Sequence, residues 1–436
     1  MALGGGTFVT QNKVIPGSYM NFVSAAKASA KLSDRGVVTM PLSLDWGNED
    51  GIFEVTNGDF QKSTMKLFGY AYTDDKMKGL RDLFLNAKTL YAYRLNGGGK
   101  KASNTFATAK YSGTRGNALK IVIQKNADND SLFDVSTYME LSKVDAQTVD
   151  KASALTDNNY VVFKKDATLT VTASTPLAGG ENGTVSGDAY QNYIDKIEAY
   201  SFNAMGVVVN DETTKGLFAA FNKRMRDEVG AKFQLILYQY KKADYMGTIS
   251  VKNKVLDDGA DEASLVYWVT GVSGGCAVNK SNQNKIYDGE FTPDLNYTQN
   301  ELEKAIKAGE FTLHSVNGTP RVLKDINTLV STTDECGDDF KDNQTVRVCD
   351  QIANDVAVVF ATKYMGAVAN INSGRTSLWS DLVKIHTELQ KINAIESFKD
   401  SDITVAQGDT KKSVVVTDNI TVVNAMSEMY MTVCVA

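Results

Sequence analysis

The clearest pattern of apolar and polar positions lies near the carboxyl-terminal end of the chain. Between Thr376 and Phe398, apolar residues recur at alternating steps of four and three, which is the spacing of one buried helical face. These residues are Leu378, Leu382, Ile385, Leu389 and Ile392. The opposite side carries Ser380, Lys384, Thr387 and Lys391 at the same steps. The pattern predicts a helix over 376–398 with one apolar face and one polar, cationic face.

Strand patterns follow this helix up to the last residues. Short strands are predicted at Ile403–Ala406, Ser413–Val416 and Thr421–Val423, with a turn at Gln407–Thr410. The final apolar stretch, predicted as a strand, consists of Tyr430, Met431, Thr432, Val433, Cys434 and Val435. Because it lacks charge and proline, such a strand is an aggregation hazard when unpaired. Its partner is expected either within the same chain or in a neighbouring copy.

Elsewhere, helix and strand patterns alternate on both sides of a segment with strand patterns alone. Glycine clusters at 97–99 and 179–183 bracket that segment. The sequence therefore predicts an α/β (α+β) multidomain protein. Its expected parts are an N-terminal arm (1–22), a discontinuous α/β domain (23–99 and 188–345), an inserted all-β domain (100–187) and an α+β C-terminal domain (346–436). The insert is expected to have few contacts across its boundary.

Composition and charge exclude several classes of protein. The net charge of −6 and the pI near 5.3 lack the basic footprint of a nucleic-acid binder. No apolar run approaches the ~20 residues of a membrane helix. The first residues lack the cationic start and apolar core of a secretory signal, so a soluble protein made in the cytoplasm is expected.

The residues that could carry chemistry form no convincing site. The two histidines, His314 and His386, lie in no catalytic motif. The loop Gly274–Ser281 is similar to a phosphate-binding loop, but Asn279 stands where glycine must precede the lysine, so a helix end and turn are expected. Acidic residues at 334–342 lack the spacing of a calcium loop. No metal, cofactor or catalytic residue is therefore predicted.

Cysteine usage is equally uninformative about a site. Cys276, Cys336, Cys349 and Cys434 form no CxxC pair, which argues against a zinc site or a disulfide framework. Reduced thiols are expected, with a Cys336–Cys349 disulfide left open for an oxidising setting.

Several short blocks in order along the chain carry a resemblance to a known family. The amino-terminal blocks are Gly4–Phe8, Gln11–Lys13, Pro16–Phe22 and Arg35–Val38. They resemble the opening of contractile tail sheath proteins of Gram-positive phages. Tyr111–Asn117 resembles the start of that family's β-rich insert, and Thr175–Gly180 resembles its end. The later blocks are Asn317–Val322, Asp325–Leu329 and Gly374–Trp379.

The resemblance implies a structural subunit that polymerises as stacked hexameric rings around an inner tube. Contraction of such a sheath drives the tube through a bacterial envelope. The implied partners are other copies of the chain, the inner tail tube protein, the baseplate and the tail terminator, without nucleic acid or membrane. The implied location is a phage virion tail or a bacteriocin particle assembled in the host cytoplasm. The resemblance also implies a subtilisin-like α/β domain, which here lacks a recognisable catalytic triad.

In this family, terminal arms add strands to the C-terminal sheets of neighbouring subunits. The matching positions are Thr7, Phe8 and Val9 at one end and Tyr430–Val435 at the other, with Gly4–Gly6 and Gln407–Asp409 as suitable hinges. Because the C-terminal domain is the innermost one in the family, Ser380, Lys384, Thr387 and Lys391 are expected either to contact the inner tube or simply to face solvent. Alternatives to a sheath are a tail tube, baseplate or adhesin component, or a hydrolase.

Overall fold

The computed structural model describes residues 32–435 of the 436-residue chain. The expected N-terminal arm with Thr7, Phe8 and Val9 lies outside this range, as does Ala436. Within it, no helix is long and apolar enough to cross a lipid bilayer.

Helices and strands alternate over most of this range. The strands are β1 (Val37–Leu42), β2 (Ile52–Thr56), β3 (Thr89–Arg94), β4 (Ala107–Ala109), β5 (Leu119–Lys125), β6 (Phe133–Met139), β7 (Ser142–Val149), β8 (Val161–Phe163), β9 (Thr172–Pro176), β10 (Ala204–Val207), β11 (Gln234–Tyr238), β12 (Thr248–Val251), β13 (Glu310–Phe311), β14 (Leu313–Val316), β15 (Thr319–Val322), β16 (Ile395–Glu396), β17 (Ile403–Gln407), β18 (Val414–Asp418) and β19 (Thr421–Val422). The helices are α1 (Asn57–Phe68), α2 (Lys78–Phe84), α3 (Gly187–Ile197), α4 (Glu212–Arg224), α5 (Leu265–Gly275), α6 (Gln299–Lys307), α7 (Asn343–Val359) and α8 (Asn372–Lys391). Single π-helical turns follow α4 and α7.

A seven-stranded sheet in the order β13-β12-β11-β10-β1-β3-β2 joins two distant parts of the chain. Strand β1 pairs in parallel with β3 on one side and with β10 on the other, so that Val38 lies opposite both Leu90 and Ala204. Only β2, at one edge, runs antiparallel. The chain therefore leaves this sheet after β3 and returns to it at β10. The mixed α/β fold expected from the sequence is confirmed.

Both faces of this sheet are covered by helices. In β11, Leu235 and Leu237 belong to the core that includes α3 and α4, whereas Ile236 and Tyr238 belong to the core that includes α2 and α5. Successive strand residues point to opposite faces, so a strand buried on both sides needs the continuous apolar run that β11 shows. Helix α5 packs closely on α2: a Cβ at Gly271 would lie 2.3 Å from the carbonyl oxygen of Leu83.

The segment between β3 and β10 contains two small antiparallel sheets. Four strands pair in the order β7-β6-β5-β9, and β4 pairs with β8. The sequence did not predict β7, because its residues alternate weakly in polarity and are mostly exposed or half-buried.

The core of this β-rich segment includes a side chain from outside it. Trp46, which is fully buried, lies in the same cluster and contacts the rings of Tyr111 and Tyr160, with centroids 5.2 and 6.4 Å away. The carboxylate of Glu49 accepts hydrogen bonds from the backbone amides of Gly98 and Ser112, both at 2.7 Å. The expectation of few contacts across the boundary was wrong, because Trp46 completes the apolar core of the insert.

The described residues divide into two compact units, 34–353 with 422–435 and 32–33 with 354–421. This division differs from the expected C-terminal domain, 346–436, at both ends. At the amino-terminal end, the first turns of α7 are held in the larger unit by buried ion pairs. Arg347 Nη2 lies 3.2 Å from Asp325 Oδ2, and Asp350 binds Arg226 through two contacts of 2.7 Å.

The structure corrects the bounds of one expected element of the smaller unit and adds a constraint to another. The helix predicted over 376–398 is α8, which spans Asn372–Lys391 and ends before Asn393, whose φ of 56° is incompatible with a continuing helix. The expected hinge at Gln407–Asp409 is part of a closed hairpin between β17 and β18. The amide of Gly408 donates to the carbonyl oxygen of Ser413 at 2.9 Å, so this turn is already constrained.

Candidate functional site

The apolar C-terminal segment is exposed in the single chain. Tyr430 is 89% exposed and Val435 is 92% exposed, and the intervening Met431 and Val433 are also largely in solvent. The strand expected at these residues is absent, which corrects the sequence prediction for the isolated chain. A strand needs a hydrogen-bonding neighbour, and the described part of the chain offers this segment none. The segment presents uncovered apolar side chains to any surface that can pair with it.

The hairpin β17–β18 presents two unpaired strand edges. Its antiparallel register runs from Ile403 opposite Asp418 to Gln407 opposite Val414. Within residues 32–435, these two strands pair only with each other. The side chains of Val415 and Val416 in β18 are exposed. Unpaired edges of this kind are templates for another strand.

Side chains of α8 hold this hairpin in place. The indole Nε1 of Trp379 donates to the carbonyl oxygen of Ile403 at 3.0 Å. The buried ring of His386 lies with Nδ1 2.9 Å from the carbonyl oxygen of Leu382 and with Nε2 2.8 Å from Asp418 Oδ2. Phe398 stacks on the same ring at a centroid distance of 5.1 Å. His386 is therefore a structural residue that supports β18.

A small apolar cavity lies in the same unit. Its volume is about 180 Å³. Phe360, Tyr364 and Leu378 contribute to its wall, together with Val414 from the start of β18. The cavity gives the surface beside the hairpin a place where an added apolar side chain could be buried.

The polar residues of α8 lie where the helical pattern predicted them. Lys384 and Lys391 are 61% and 63% exposed, and Ser380 and Thr387 are half-buried. Each lysine already has a carboxylate partner on its own helix. Lys384 Nζ lies 3.3 Å from Asp381 Oδ1, and Lys391 Nζ lies 2.7 Å from Glu388 Oε1.

Asp381 is the best-buried member of this polar group. Burial by itself raises its pKa, but hydrogen bonds from Lys363, Tyr364 and Lys384 outweigh this effect and hold the pKa below its usual value. The face of α8 is consequently less cationic than the spacing of its lysines suggests. The sequence reasoning missed Asp381, although its i, i+3 spacing to Lys384 is a readable signal.

The residues considered for chemistry are dispersed. His314 lies in β14 opposite Arg321 of β15, and His386 supports the hairpin described above. The glycine loop is the end of α5 followed by a turn closed between Lys280 N and Ala277 O, as predicted. Within residues 32–435, no group of three or more His, Cys, Asp or Glu side chains could hold a metal ion, and the four cysteines are not joined in disulfides.

Consecutive parts of the chain match four domains of one protein family. Residues 35–95 match the domain III N-terminal region of tail sheath protein Gp18. Residues 96–182 match the phage tail sheath β-sandwich domain, 183–328 the central domain and 335–436 the C-terminal domain. The chain therefore belongs to the phage tail sheath protein family.

Individual relatives agree over nearly the full length. The phage-like element PBSX protein XkdK of Bacillus subtilis is 31% identical over 467 aligned positions, which cover 99% of each chain. The crystal structure of a sheath tail protein from Desulfitobacterium hafniense is 35% identical, with a TM-score of 0.82 over 94% of this chain and 97% of that one. A sheath tail protein from Listeria innocua gives 32% identity and a TM-score of 0.80, covering 92% and 95%. The protein is thus a sheath component of a phage tail or tail-like particle.

A more distant likeness extends the fold to an assembled sheath. A chain of the anti-feeding prophage helical sheath in its contracted state shares the fold, with a TM-score of 0.57 at 11% identity. The likeness covers 97% of this chain and 99% of that one.

Proposed function

We propose that this protein polymerises as stacked hexameric rings around an inner tube and contracts to drive that tube through a bacterial envelope. Membership of the tail sheath family and the fold shared with a contracted sheath support this proposal. Its partners are then other copies of itself, the inner tube protein, the baseplate and the tail terminator. The particle is a phage virion tail or a bacteriocin, assembled in the host cytoplasm.

The observation that carries the proposal is that one exposed segment and one exposed hairpin edge could pair as neighbouring strands. Within residues 32–435, the apolar segment Tyr430–Val435 has no strand partner, and no further strand pairs with the hairpin β17–β18. An exposed uncharged segment is costly in water, and an unpaired edge leaves backbone groups without ladder partners. Both costs are removed when the segment of one copy adds to the hairpin of a neighbouring copy.

The alternation of residues in the segment suits such an addition. Met429, Met431, Val433 and Val435 fall on one face of an extended chain, and Tyr430, Thr432 and Cys434 fall on the other. The hairpin rests on α8, so a strand added to its edge has one face toward the apolar side and one toward solvent. The face with two methionines and two valines fits the apolar side. The expected N-terminal strand, Thr7, Phe8 and Val9, would occupy the remaining edge.

The polar face of α8 is the proposed contact with the inner tube. Lys384 and Lys391 are exposed and lie two turns apart, but each is paired with a carboxylate on the helix. An exposed ion pair is worth only about 0.2–1 kcal/mol, so a carboxylate of the tube can exchange with Asp381 or Glu388 at small cost. Such ion pairs are weak one by one, so each can break easily during contraction. Because they are repeated in every ring, their sum still holds the sheath on the tube.

A structural rather than catalytic role is part of the same proposal. The α/β domain is taken to be subtilisin-like in fold, and a fold of that kind carries no activity unless its catalytic side chains converge. The two histidines are far apart in the chain, and the described contacts of His386 are to Leu382, Asp418 and Phe398, which leaves it a supporting role.

The test compares two charge substitutions on opposite faces of the same segment. Val433→Asp places a carboxylate on the apolar face, whereas Thr432→Asp, the matched control, places it on the face toward solvent. A third variant lacks residues 430–436. We expect cylinders by negative-stain microscopy for the wild type and the control, and soluble folded subunits for Val433→Asp and for the deletion. Long striated cylinders from the deletion variant would refute strand exchange as the basis of assembly.

A further inference from the structure

The base of the C-terminal segment is fastened to its own subunit by a buried glutamine. Gln344, in the first turn of α7, donates from Nε2 to the carbonyl oxygen of Val423 at 2.9 Å. Its Oε1 accepts a hydrogen bond from the backbone amide of Ala425 at 3.1 Å. The side-chain amide thus binds one acceptor and one donor of the same short stretch of backbone. A neighbouring strand would make the same pair of bonds.

Two further contacts continue this attachment on either side. The side-chain amide of Asn424 donates to Thr345 Oγ1 at 3.1 Å. Gln283 Nε2 donates to Ser427 Oγ at 2.9 Å. We name these contacts the Gln344 clip: Gln344, Thr345 and Gln283 on one side and residues 423–427 on the other.

The glutamine itself is rigidly held. Gln344 is only 2% exposed, and its backbone amide donates to Asp342 Oδ1 at 2.7 Å. The side chain of the preceding Asn343 donates from Nδ2 to Asp325 Oδ1 at 3.0 Å, and its Oδ1 accepts from Gln234 Nε2 at 2.9 Å. A side chain anchored in this way has little rotamer freedom to lose, so its hydrogen bonds cost little entropy.

The attachment ends where the apolar segment begins. Beyond Ser427, the hydrogen bond described is local, from the Tyr430 hydroxyl to Glu428 Oε2 at 2.7 Å. The exposed fraction then stays high up to Val435. The chain therefore changes from a fastened to a projecting state between Ser427 and Glu428.

We infer that Gln344 is a positioning residue that fixes the point from which the C-terminal arm leaves its subunit. This inference rests on the proposed strand exchange and adds a geometric limit to it. Residues Glu428–Val435 span at most about 26 Å when extended at ~3.3 Å per residue. The acceptor hairpin of the neighbouring copy consequently lies within that distance of Ser427. Loss of the clip releases residues 423–427 as additional slack, which lowers the effective concentration of the arm at the acceptor.

The first measurement tests the hydrogen bonds of the Gln344 clip in the unassembled subunit. Hydrogen exchange is followed by mass spectrometry in the full-length subunit below its assembly concentration, over the peptide 421–428. Gln344→Leu keeps the volume and removes both hydrogen bonds. Ala425→Pro removes the donor on the arm side and leaves α7 untouched, which covers the case that Gln344→Leu fails to fold. We expect exchange in this peptide to rise by about tenfold or more in Gln344→Leu, which loses two ordinary hydrogen bonds, and to rise by a smaller factor in Ala425→Pro, which loses one.

The matched control is Gln299→Leu, which removes an exposed glutamine of α6 that bonds only to Glu303 within the described contacts. Its exchange over 421–428 should equal that of the wild type. Unchanged exchange in Gln344→Leu and Ala425→Pro would overturn the clip.

The second measurement tests whether Gln344 positions the C-terminal arm for assembly. The critical concentration for forming sedimentable cylinders should rise by about tenfold in Gln344→Leu and Ala425→Pro, which equals about 1.4 kcal/mol, and should stay at the wild-type value in Gln299→Leu. Faster exchange with a wild-type critical concentration would overturn the positioning role. Assembly by the variant lacking 430–436 is a different result: it refutes the proposed strand exchange, while the exchange data still decide whether the clip exists.

Discussion

The imidazole Nε2 of His386 lies 2.8 Å from Oδ2 of Asp418, which ties helix α8 to the last residue of strand β18. Asp418 is opposite Ile403 in the hairpin, and the same histidine ring stacks on Phe398. One buried ring therefore holds together the helix, the loop after it and the proposed acceptor hairpin.

Replacing His386 by leucine should loosen this hairpin. The variant leaves Asp418 without its ring partner and removes the contact to the Leu382 carbonyl oxygen, so we expect a loss of roughly 1–3 kcal/mol in the free energy of unfolding. Urea denaturation of the subunit and hydrogen exchange over 414–418 measure the effect. His314→Leu, at a half-buried strand position, is the control and should change exchange over 414–418 little. Wild-type exchange in the His386 variant would contradict the supporting role.

Trp46→Ala should destabilise the β-rich segment although Trp46 lies outside it. The buried indole contacts the rings of Tyr111 and Tyr160, and removal of a large buried aromatic side chain costs about 3–5 kcal/mol. Denaturant unfolding checks the magnitude. Trp379→Ala, which truncates a half-buried tryptophan, should cost less.

The same packing changes the expected result of removing the insert. If residues 100–187 are replaced by a short Gly-Ser linker, Trp46 becomes exposed, and we expect a destabilised, aggregation-prone subunit. Adding Trp46→Ser to the excision should improve recovery of folded protein in gel filtration. Equal recovery of both excised forms would show that Trp46 is not part of the shared core.

Asp82 should give the subunit a specific pH dependence. This carboxyl group is fully buried in α2, where it accepts hydrogen bonds from the amide of Glu290 and the hydroxyl of Tyr287. Burial is the largest effect and raises its pKa from 3.8 to about 6. A raised carboxyl pKa means that the folded state binds the proton more tightly than the unfolded state.

The resulting contribution to stability is present at low pH and is lost as the pH rises from about 4 to about 6. The shift of roughly two pH units corresponds to about 3 kcal/mol as an upper value. Asp82→Asn should remove this component, so that its advantage over the wild type in urea denaturation is larger at pH 7 than at pH 4.5. An equal difference at both pH values would contradict the assignment. Asp381, whose pKa is lowered, contributes in the opposite direction and loses its contribution as the pH falls.

The double variant Lys384→Gln and Lys391→Gln should weaken co-assembly with the inner tube protein. Glutamine is preferred to glutamate here, because a new carboxylate next to Asp381 or Glu388 would repel its neighbour and confuse folding with binding. We expect the loss to be greatest at low salt, where exposed charges are least screened. Lys223→Gln, in an exposed pair with Asp227 on α4, is the control. Unchanged co-sedimentation of the double variant with the tube protein would show that the polar face of α8 simply faces solvent and does not contact the tube.

Periodic patterns in the sequence are sufficient to predict the elements whose residues repeat regularly. Helix α8 and the doubly buried strand β11 are examples, because burial on one or two faces dictates which positions must be apolar. Collinear blocks of residues also carry the resemblance to the sheath family. The apolar character of Tyr430–Val435 was equally readable, together with its need for a partner.

Which distant side chains meet depends on the fold of the chain as a whole. The burial of Trp46 in the insert, the pairing of His386 with Asp418 and the attachment of Ala425 to Gln344 join positions that are 32 to 114 residues apart, and no local period encodes them. The strand predicted at Tyr430–Val435 shows the converse limit. Strand propensity is local, but a strand exists only when a second strand supplies hydrogen bonds, and residues 32–435 of one chain supply none to this segment.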